Sequence, residues 1–342
     1  MLVLSAADLR ALVPMADAIA AVRDAFVALS AGRAVVPVRT AVALPSPGAV
    51  FLAMPASLPG LPAMGAKLVS VLPENQRAGR PIVQAVVALM DPWTGAATAV
   101  IEGTSLTALR TGAASGLATD LLARGDAAIV ALFGAGAQAR TQLEAVCAVR
   151  NVSQVRVVAR TPGHAETFAH WAREQPWIRG ATVVAAPAPD VAVRGAEIIV
   201  TATTSATPVL PGDLVGAGTH LNAVGAFQDH TRELDSDLVA RSSIVVDSRE
   251  AALAEAGDLV IPLKEGRISG AHTWAELGEM AAGTIGGRQD RQTITLFKSV
   301  GNAVQDLAVG ALAVERAIAS GRGTRVRLVD SLSDSGPSDG GK

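Results

Sequence analysis

Hydrophobic positions in the chain fall into two rhythms. In the first part, Ile19, Val22, Phe26 and Leu29 recur at helical spacing, with Pro14 at the predicted helix start and Gly32 just past its end. From about Val35 to Ile101 the texture changes to short β-prone runs cut by Pro and Gly: 35–44, 51–55, 66–72 and 83–90. Asp91-Pro92-Trp93-Thr94-Gly95 predicts a turn between two antiparallel strands. A helix is expected over Ser105 to Ala123, capped by Ser105 or Thr107 and closed by Gly125. After Gly125 the pattern alternates strand and helix. Strands are predicted at 127–133, 154–160, 182–186, 197–203, 220–225 and 243–247, with helices over Ala137–Arg150 and about Ala303–Ala319.

This alternation predicts an α/β protein: a Rossmann-type doubly wound parallel sheet plus a second α+β domain. The expected division is 1–119 with 303–330 for the second domain, 120–302 for the nucleotide-binding domain, and a disordered polar tail at 331–342.

Composition narrows the function. Of 342 residues, 50% are hydrophobic, 18% charged and 3% aromatic, and the net charge is -2. No basic surplus points to nucleic acid or to an anionic membrane. Asp8, Arg10, Asp17, Arg23 and Asp24 interrupt any apolar run near the start, so neither a signal peptide nor a membrane span is expected. One cysteine, Cys147, and five scattered histidines (His164, His170, His220, His230, His272) leave no metal-ligand spacing. No metal is expected, and a cytoplasmic location is.

The sharpest motif is LFGAGAQAR, residues 132–140, in the G-x-G-x-x-G/A pattern between a buried strand and a helix. Gly134 would make the tight turn and Gly136 would admit a pyrophosphate. Ala139 would let the helix pack closely, and Ala137 and Gln138 complete the loop. A small-residue turn in an alanine-rich chain reads the same locally; the strands on either side favour a dinucleotide site. Where the next strand ends, Arg160 and Thr161 stand in place of an acidic residue. An acid there would accept from the ribose 2′-hydroxyl of NAD, whereas Arg160 and Thr161 suit the phosphate of NADP. NADPH is therefore the expected cofactor, with NADH the alternative.

Several stretches together resemble the ornithine cyclodeaminase/mu-crystallin family: VPVRT (36–40), MGAKLVSVLPEN (64–75), ALMDPWTGAATAVIEG (88–103), LTALRTGAASGLAT (106–119), the glycine loop, TATTSATPVL (201–210), REL (232–234) and TLFKSVGNAVQDL (295–307). The resemblance assigns Arg39, Lys67 and Arg110 to a substrate carboxylate, places Asn75 in the site lining, and brings Thr111 and Gly112 to the cofactor. It also puts Ser299 and Gly301 near the nicotinamide, and implies a dimer formed through the N-terminal strands. Physical chemistry supports grouping the cations, because a carboxylate removed from water needs charge-assisted donors. Lys67 lies in an apolar segment where an unpaired ammonium is expensive; a bound anion is one way to satisfy it.

One loop departs from the cyclodeaminase pattern. By that resemblance, Phe227 occupies the position where cyclodeaminases and the related alanine dehydrogenases carry an Asp, and Phe cannot accept a proton. The loop is similar to that of the ketimine reductase branch. Asp229 could substitute by swinging inward, or simply cap a turn, and His230 beside it is expected to be exposed. Asp247 and Glu255 are expected at the rim of the site without a chemical role. The expected activity is NADPH-dependent reduction of 1-pyrroline-2-carboxylate or 1-piperideine-2-carboxylate to L-proline or L-pipecolate, with Lys67 as proton donor. The alternatives are an NAD-dependent ornithine cyclodeaminase, an alanine-type dehydrogenase, and a non-catalytic crystallin-like ligand binder.

Overall fold

The computed structural model describes residues 1–61, 63–269 and 274–328. The predicted tail at 331–342 and His272 lie outside the described residues. In chain order the first elements are β1 (Leu2–Leu4), α1 (Ala6–Leu12), α2 (Met15–Ser30), β2 (Thr40–Ala43), β3 (Val50–Leu58), β4 (Ala63–Val71), β5 (Val83–Met90), β6 (Ala97–Glu102) and α3 (Gly103–Leu122). The next set is β7 (Ile129–Phe133), α4 (Ala137–Val149), β8 (Gln154–Val158), α5 (Pro162–Arg173), β9 (Thr182–Ala185), α6 (Pro189–Val193), β10 (Ile198–Thr201) and β11 (His220–Ala223). The chain continues through α7 (Ser236–Ala240), β12 (Ser242–Val246), α8 (Arg249–Glu255), α9 (Gly257–Lys264), β13 (Ala275–Glu276), α10 (Leu277–Ala281), β14 (Ile294–Lys298), α11 (Ala303–Ser320) and β15 (Thr324–Arg325).

Two sheets form, and the chain is an α/β protein of the Rossmann type. The first sheet runs β15-β1-β6-β5-β4-β3-β2, with β3 to β6 antiparallel. The second is entirely parallel, in the order β13-β12-β14-β11-β10-β7-β8-β9. Strand order reverses between β7 and β10, the point at which such sheets open a crevice for a nucleotide.

On the first sheet, the rung Met54–Lys67–Val87–Ile101 faces inward onto α11. Gly65, beside Lys67, faces Ala88 so closely that a Cβ would collide with the Ala88 carbonyl oxygen. Helix α3 is buried along most of its length and links the sheets. Its Gly112 lies against Thr141 of α4 with no room for a side chain, and Thr141 and Gln142 donate to the carbonyls of Ala108 and Thr111.

Some expectations change in detail. The cap of α3 is Glu102, whose carboxylate accepts from the N–H groups of Thr104 and Ser105 (2.8 and 2.9 Å), rather than Ser105 or Thr107. A carboxylate at the end of β6 reaches both free N–H groups and complements the positive helix end, so the helix starts two residues earlier. The run 35–44 forms a strand only at Thr40–Ala43, with Val35 in an isolated bridge to Ser57. Strand β14, fully buried in the second sheet, was not anticipated.

Candidate active site

Three elements bring the predicted cations together. Lys67 projects from β4, Arg110 from the middle of α3, and Arg39 from the segment before β2. They meet at the turn 299–301 and the first turn of α11. Lys67 Nζ lies 2.9 Å from Asp306 Oδ2, and Arg110 Nε donates to Asp306 Oδ1 at 3.1 Å. Arg110 also donates to Gln305 Oε1. Its guanidinium covers Gly301, whose φ of 82° is a conformation that favours glycine. Arg39 donates to the carbonyls of Val300 and Gly301 (3.3 and 3.1 Å) and pairs with Glu255 at 2.7 Å. Lys67 is thus satisfied by an internal carboxylate. Three cations pair directly with two carboxylates, a surplus of one positive charge in the paired set, while the third acid of the group, Asp247, is taken up by the turn below.

That surplus shapes the ammonium of Lys67, which is 3% exposed. Burial, and then the neighbouring charge of Arg110, bring its pKa down to about 8, against the pull of Asp306. It remains mostly protonated at neutral pH yet gives up its proton far more readily than an exposed lysine. Beside the group lies a cavity of about 130 Å³ lined by Val36, Val38, Arg39, Met54, Glu255 and Asn302, among others.

Asp247 fixes the turn under the cations. Its Oδ2 accepts from the Ser299 hydroxyl and from the N–H groups of Val300 and Gly301 (2.9, 3.0 and 2.7 Å). Ser299 and Gly301 are therefore beside the cation group. Asn75 is engaged in its own loop, donating to the Pro81 carbonyl at 2.9 Å.

Arg110 is continuous with the nucleotide loop through α3, because the adjoining Thr111 and Gly112 pack on the first half of α4. The loop itself fits a dinucleotide. Gly134 has φ 115°, and a Cβ there would strike the Ala202 carbonyl oxygen. Above Gly136 the space is open, and α4 begins with no side-chain cap, so its first N–H groups face outward for an anion. Ala139 is fully buried, and the side-chain oxygen of Gln138 is buried without a partner. Arg160 and Thr161 follow β8 on the surface, with Thr161 capping α5 by backbone alone.

Phe227 is partly buried against the core beneath the second sheet. Asp229 is exposed and paired with His230 (3.1 Å) and Lys264 (3.5 Å), and these contacts hold its carboxyl below the ordinary range. His220 is buried between Thr295 and Asn222, and burial pushes its pKa down to about 3. Cys147 is a buried thiol raised to about 12. Sequence reasoning missed Asp306, Gln305 and the pairing of Glu255. Asp306 lay inside a motif that was recognised, but an Asp in a helix's first turn reads as an ordinary end-charge residue.

The sequence matches the ornithine cyclodeaminase/mu-crystallin family over residues 1–321. The chain belongs to this family. It is 40% identical over 329 residues to a Delta(1)-pyrroline-2-carboxylate reductase of Bacillus cereus, an alignment covering 96% of this chain and 100% of that protein. Its fold superposes with a TM-score of 0.91 on the Thermococcus litoralis Delta(1)-pyrroline-2-carboxylate reductase solved with NADH and L-proline; identity is 44%, and coverage is 95% of this chain and 100% of the other. An archaeal alanine dehydrogenase dimer with bound NAD is 33% identical, with a TM-score of 0.89 and coverage of 96% and 99%.

Proposed function

We propose that the protein reduces cyclic ketimine carboxylates, 1-pyrroline-2-carboxylate or 1-piperideine-2-carboxylate, to L-proline or L-pipecolate with NADPH. The observation that carries this reading is the grouping of Lys67, Arg110 and Arg39, three buried or half-buried cations on two directly paired carboxylates, joined through α3 to the glycine loop. The reductases of Bacillus cereus and Thermococcus litoralis, similar over nearly the whole chain, support the same substrate class.

Gly134, Gly136, Ala137, Gln138 and Ala139 would hold the pyrophosphate, Thr111 would border it, and Ser299 and Gly301 would flank the nicotinamide. A bound reduced nicotinamide supplies the hydride. The substrate carboxylate would bind Arg110, Arg39 and Lys67, competing with Asp306 and Glu255 for their donors, while Asn75 closes the outer lining. Holding the acid fixes the C=N carbon, so positioning contributes much of the rate. Lys67, with a pKa of about 8, is an ammonium at neutral pH and serves as proton donor to the imine nitrogen. Cyclodeamination would need a carboxylate near the reacting carbon. Phe227 stands in that loop and Asp229 is turned outward, which favours reduction.

Arg160 and Thr161 favour NADPH over NADH. The reading also includes a two-part organisation, with 1–119 and 303–330 forming the substrate and dimerisation part and 120–302 holding the nucleotide. A homodimer is supported by the outer face of the first sheet. There the rung Pro55–Ala66–Ala88–Val100 carries no charge, and in the rung Ala53–Leu68–Val86–Glu102, charged only at its β6 end, Leu68 and Val86 are exposed. A cytoplasmic location, with its reduced nicotinamide pool, suits this reading.

The test follows reduced-nicotinamide absorbance with NADPH and NADH separately, against both rings, pyruvate with ammonia, and ornithine. Oxidation is expected with a ring substrate and faster with NADPH. No oxidation with either ring overturns the proposal.

A further inference from the structure

At the head of the second sheet, a sealed set of ionisable groups takes no part in the clamp. Lys298, the last residue of β14, places its ammonium 2.5 Å from the Ala226 carbonyl oxygen and 2.8 Å from Asp258 Oδ2, and neither side chain is exposed. The other oxygen of Asp258 accepts from the N–H groups of Glu233 and Leu234 (2.7 and 2.9 Å). Glu233, also fully buried, accepts four hydrogen bonds. Its Oε1 takes the Thr203 N–H and hydroxyl (2.7 Å each), and its Oε2 takes the Thr201 hydroxyl and the Gly225 N–H (2.9 and 2.8 Å).

These bonds grip one loop. Gly225 is held by its N–H, Ala226 by its carbonyl, and the far end by the N–H groups of Glu233 and Leu234. Close packing removes the remaining slack: a Cβ at Gly225 would collide with the Thr203 oxygen, and one at Gly257 with the Thr231 oxygen. The neighbours on either side belong to the site. Thr203 follows Ala202, against which Gly134 makes its turn, and Lys298 leads into the 299–301 turn beneath Arg39 and Arg110.

Burying one ammonium and two carboxylates is costly, and a fold gains nothing from it that apolar side chains would not supply. Lysine is also rare in this chain, with four (Lys67, Lys264, Lys298, Lys342) among 29 basic residues. We propose that Glu233 and Lys298 are positioning residues, holding the Gly225–Phe227 segment against the substrate between the glycine turn and the cation group. This rests on the reductase reading above. Fixed peptide groups at that wall keep the ring in the one orientation that reacts.

The experiment compares two substitutions on the same carboxylate. Glu233→Gln preserves size and an acceptor for Thr203, but a Gln oriented that way presents N–H to the Gly225 N–H. Thr201→Val deletes a different donor to Glu233 and leaves the loop bond in place. For E233Q we expect the ketimine kcat/KM to fall roughly 30-fold, an NADPH dissociation constant (by fluorescence titration) within twofold of wild type, and at least tenfold faster hydrogen exchange at the Gly225 amide. For T201V, kcat/KM and exchange should stay within threefold. Equal losses in both variants, or an unchanged loop and kcat/KM in E233Q, overturn the proposal. Should E233Q not fold, the unmodified protein decides: a Gly225 amide exchanging as fast as the exposed turn at Trp93 overturns it, and one a hundredfold slower supports it. If wild type reduces no ring substrate, the reductase reading fails, while the exchange result still reports on the loop.

Discussion

Two lysines are buried here, each against an aspartate, and their surroundings carry opposite charge. Lys67 pairs with Asp306 but shares its pocket with Arg110 and Arg39, so cations outnumber the carboxylates that pair with them. Lys298 pairs with Asp258 but lies near Glu233, so carboxylates outnumber cations, and burial together with Asp258 raises the Glu233 pKa. The negative excess is absorbed by N–H and hydroxyl donors from Thr201, Thr203 and Gly225. Among the described residues the surplus cation is met by Gln305 and two carbonyls, with Asp247 held under the turn by hydroxyl and N–H donors. A buried charge imbalance that the fold neutralises is scaffold; one that it leaves open is a place for a ligand.

The comparison breaks most severely if its carboxylates are removed. Asp306→Ala leaves Lys67 and Arg110 unpaired and should cost about 3–5 kcal/mol of stability, measured by denaturant unfolding; a loss below ~1 kcal/mol would mean that solvent already reaches the pair. Arg110→Met should lower the ketimine kcat/KM by about 2–5 kcal/mol of transition-state binding, roughly 30- to 5,000-fold, while NADPH titration stays near wild type. Unchanged turnover would remove the clamp.

A smaller effect sharpens the contrast through pH. A depressed Lys67 pKa means that the ammonium is present below about 8 and lost as pH rises through it, so kcat/KM should decline about tenfold per unit above that point. Lys67→Arg keeps its charge, so its residual activity should lack this limb. A limb that persists belongs to another group, such as the substrate imine. Smallest of all, Arg160→Ala should raise the KM for NADPH roughly tenfold and leave that for NADH unchanged; equal changes would show that Arg160 does not read the 2′-phosphate.

Much of this was legible along the chain, for identifiable reasons. The glycine loop and β7 are local patterns, and β5 falls at 83–90, where a β-prone run predicts it. Arg39, Lys67 and Arg110 stand out because charge is rare in their segments. Their partners do not: Arg110 and Asp306 are 196 residues apart, and only the packing of α11 across β4 and α3 joins them. Strand β14 is hidden in the same way, since TLFK is too short to distinguish a central strand from a loop. Glu102 escaped because a glutamate at a strand end gives no sign that a helix begins one residue later.

The distribution of lysines has a practical side. With Lys67 and Lys298 sealed inside, Lys264, whose side chain is 66% exposed, is the one lysine among the described residues that an amine-reactive dye or surface would meet readily. Among the described residues, labelling or immobilisation through primary amines would therefore attach at the outer end of α9 or at the exposed Met1 amino group, and leave both interior ammonium groups unmodified.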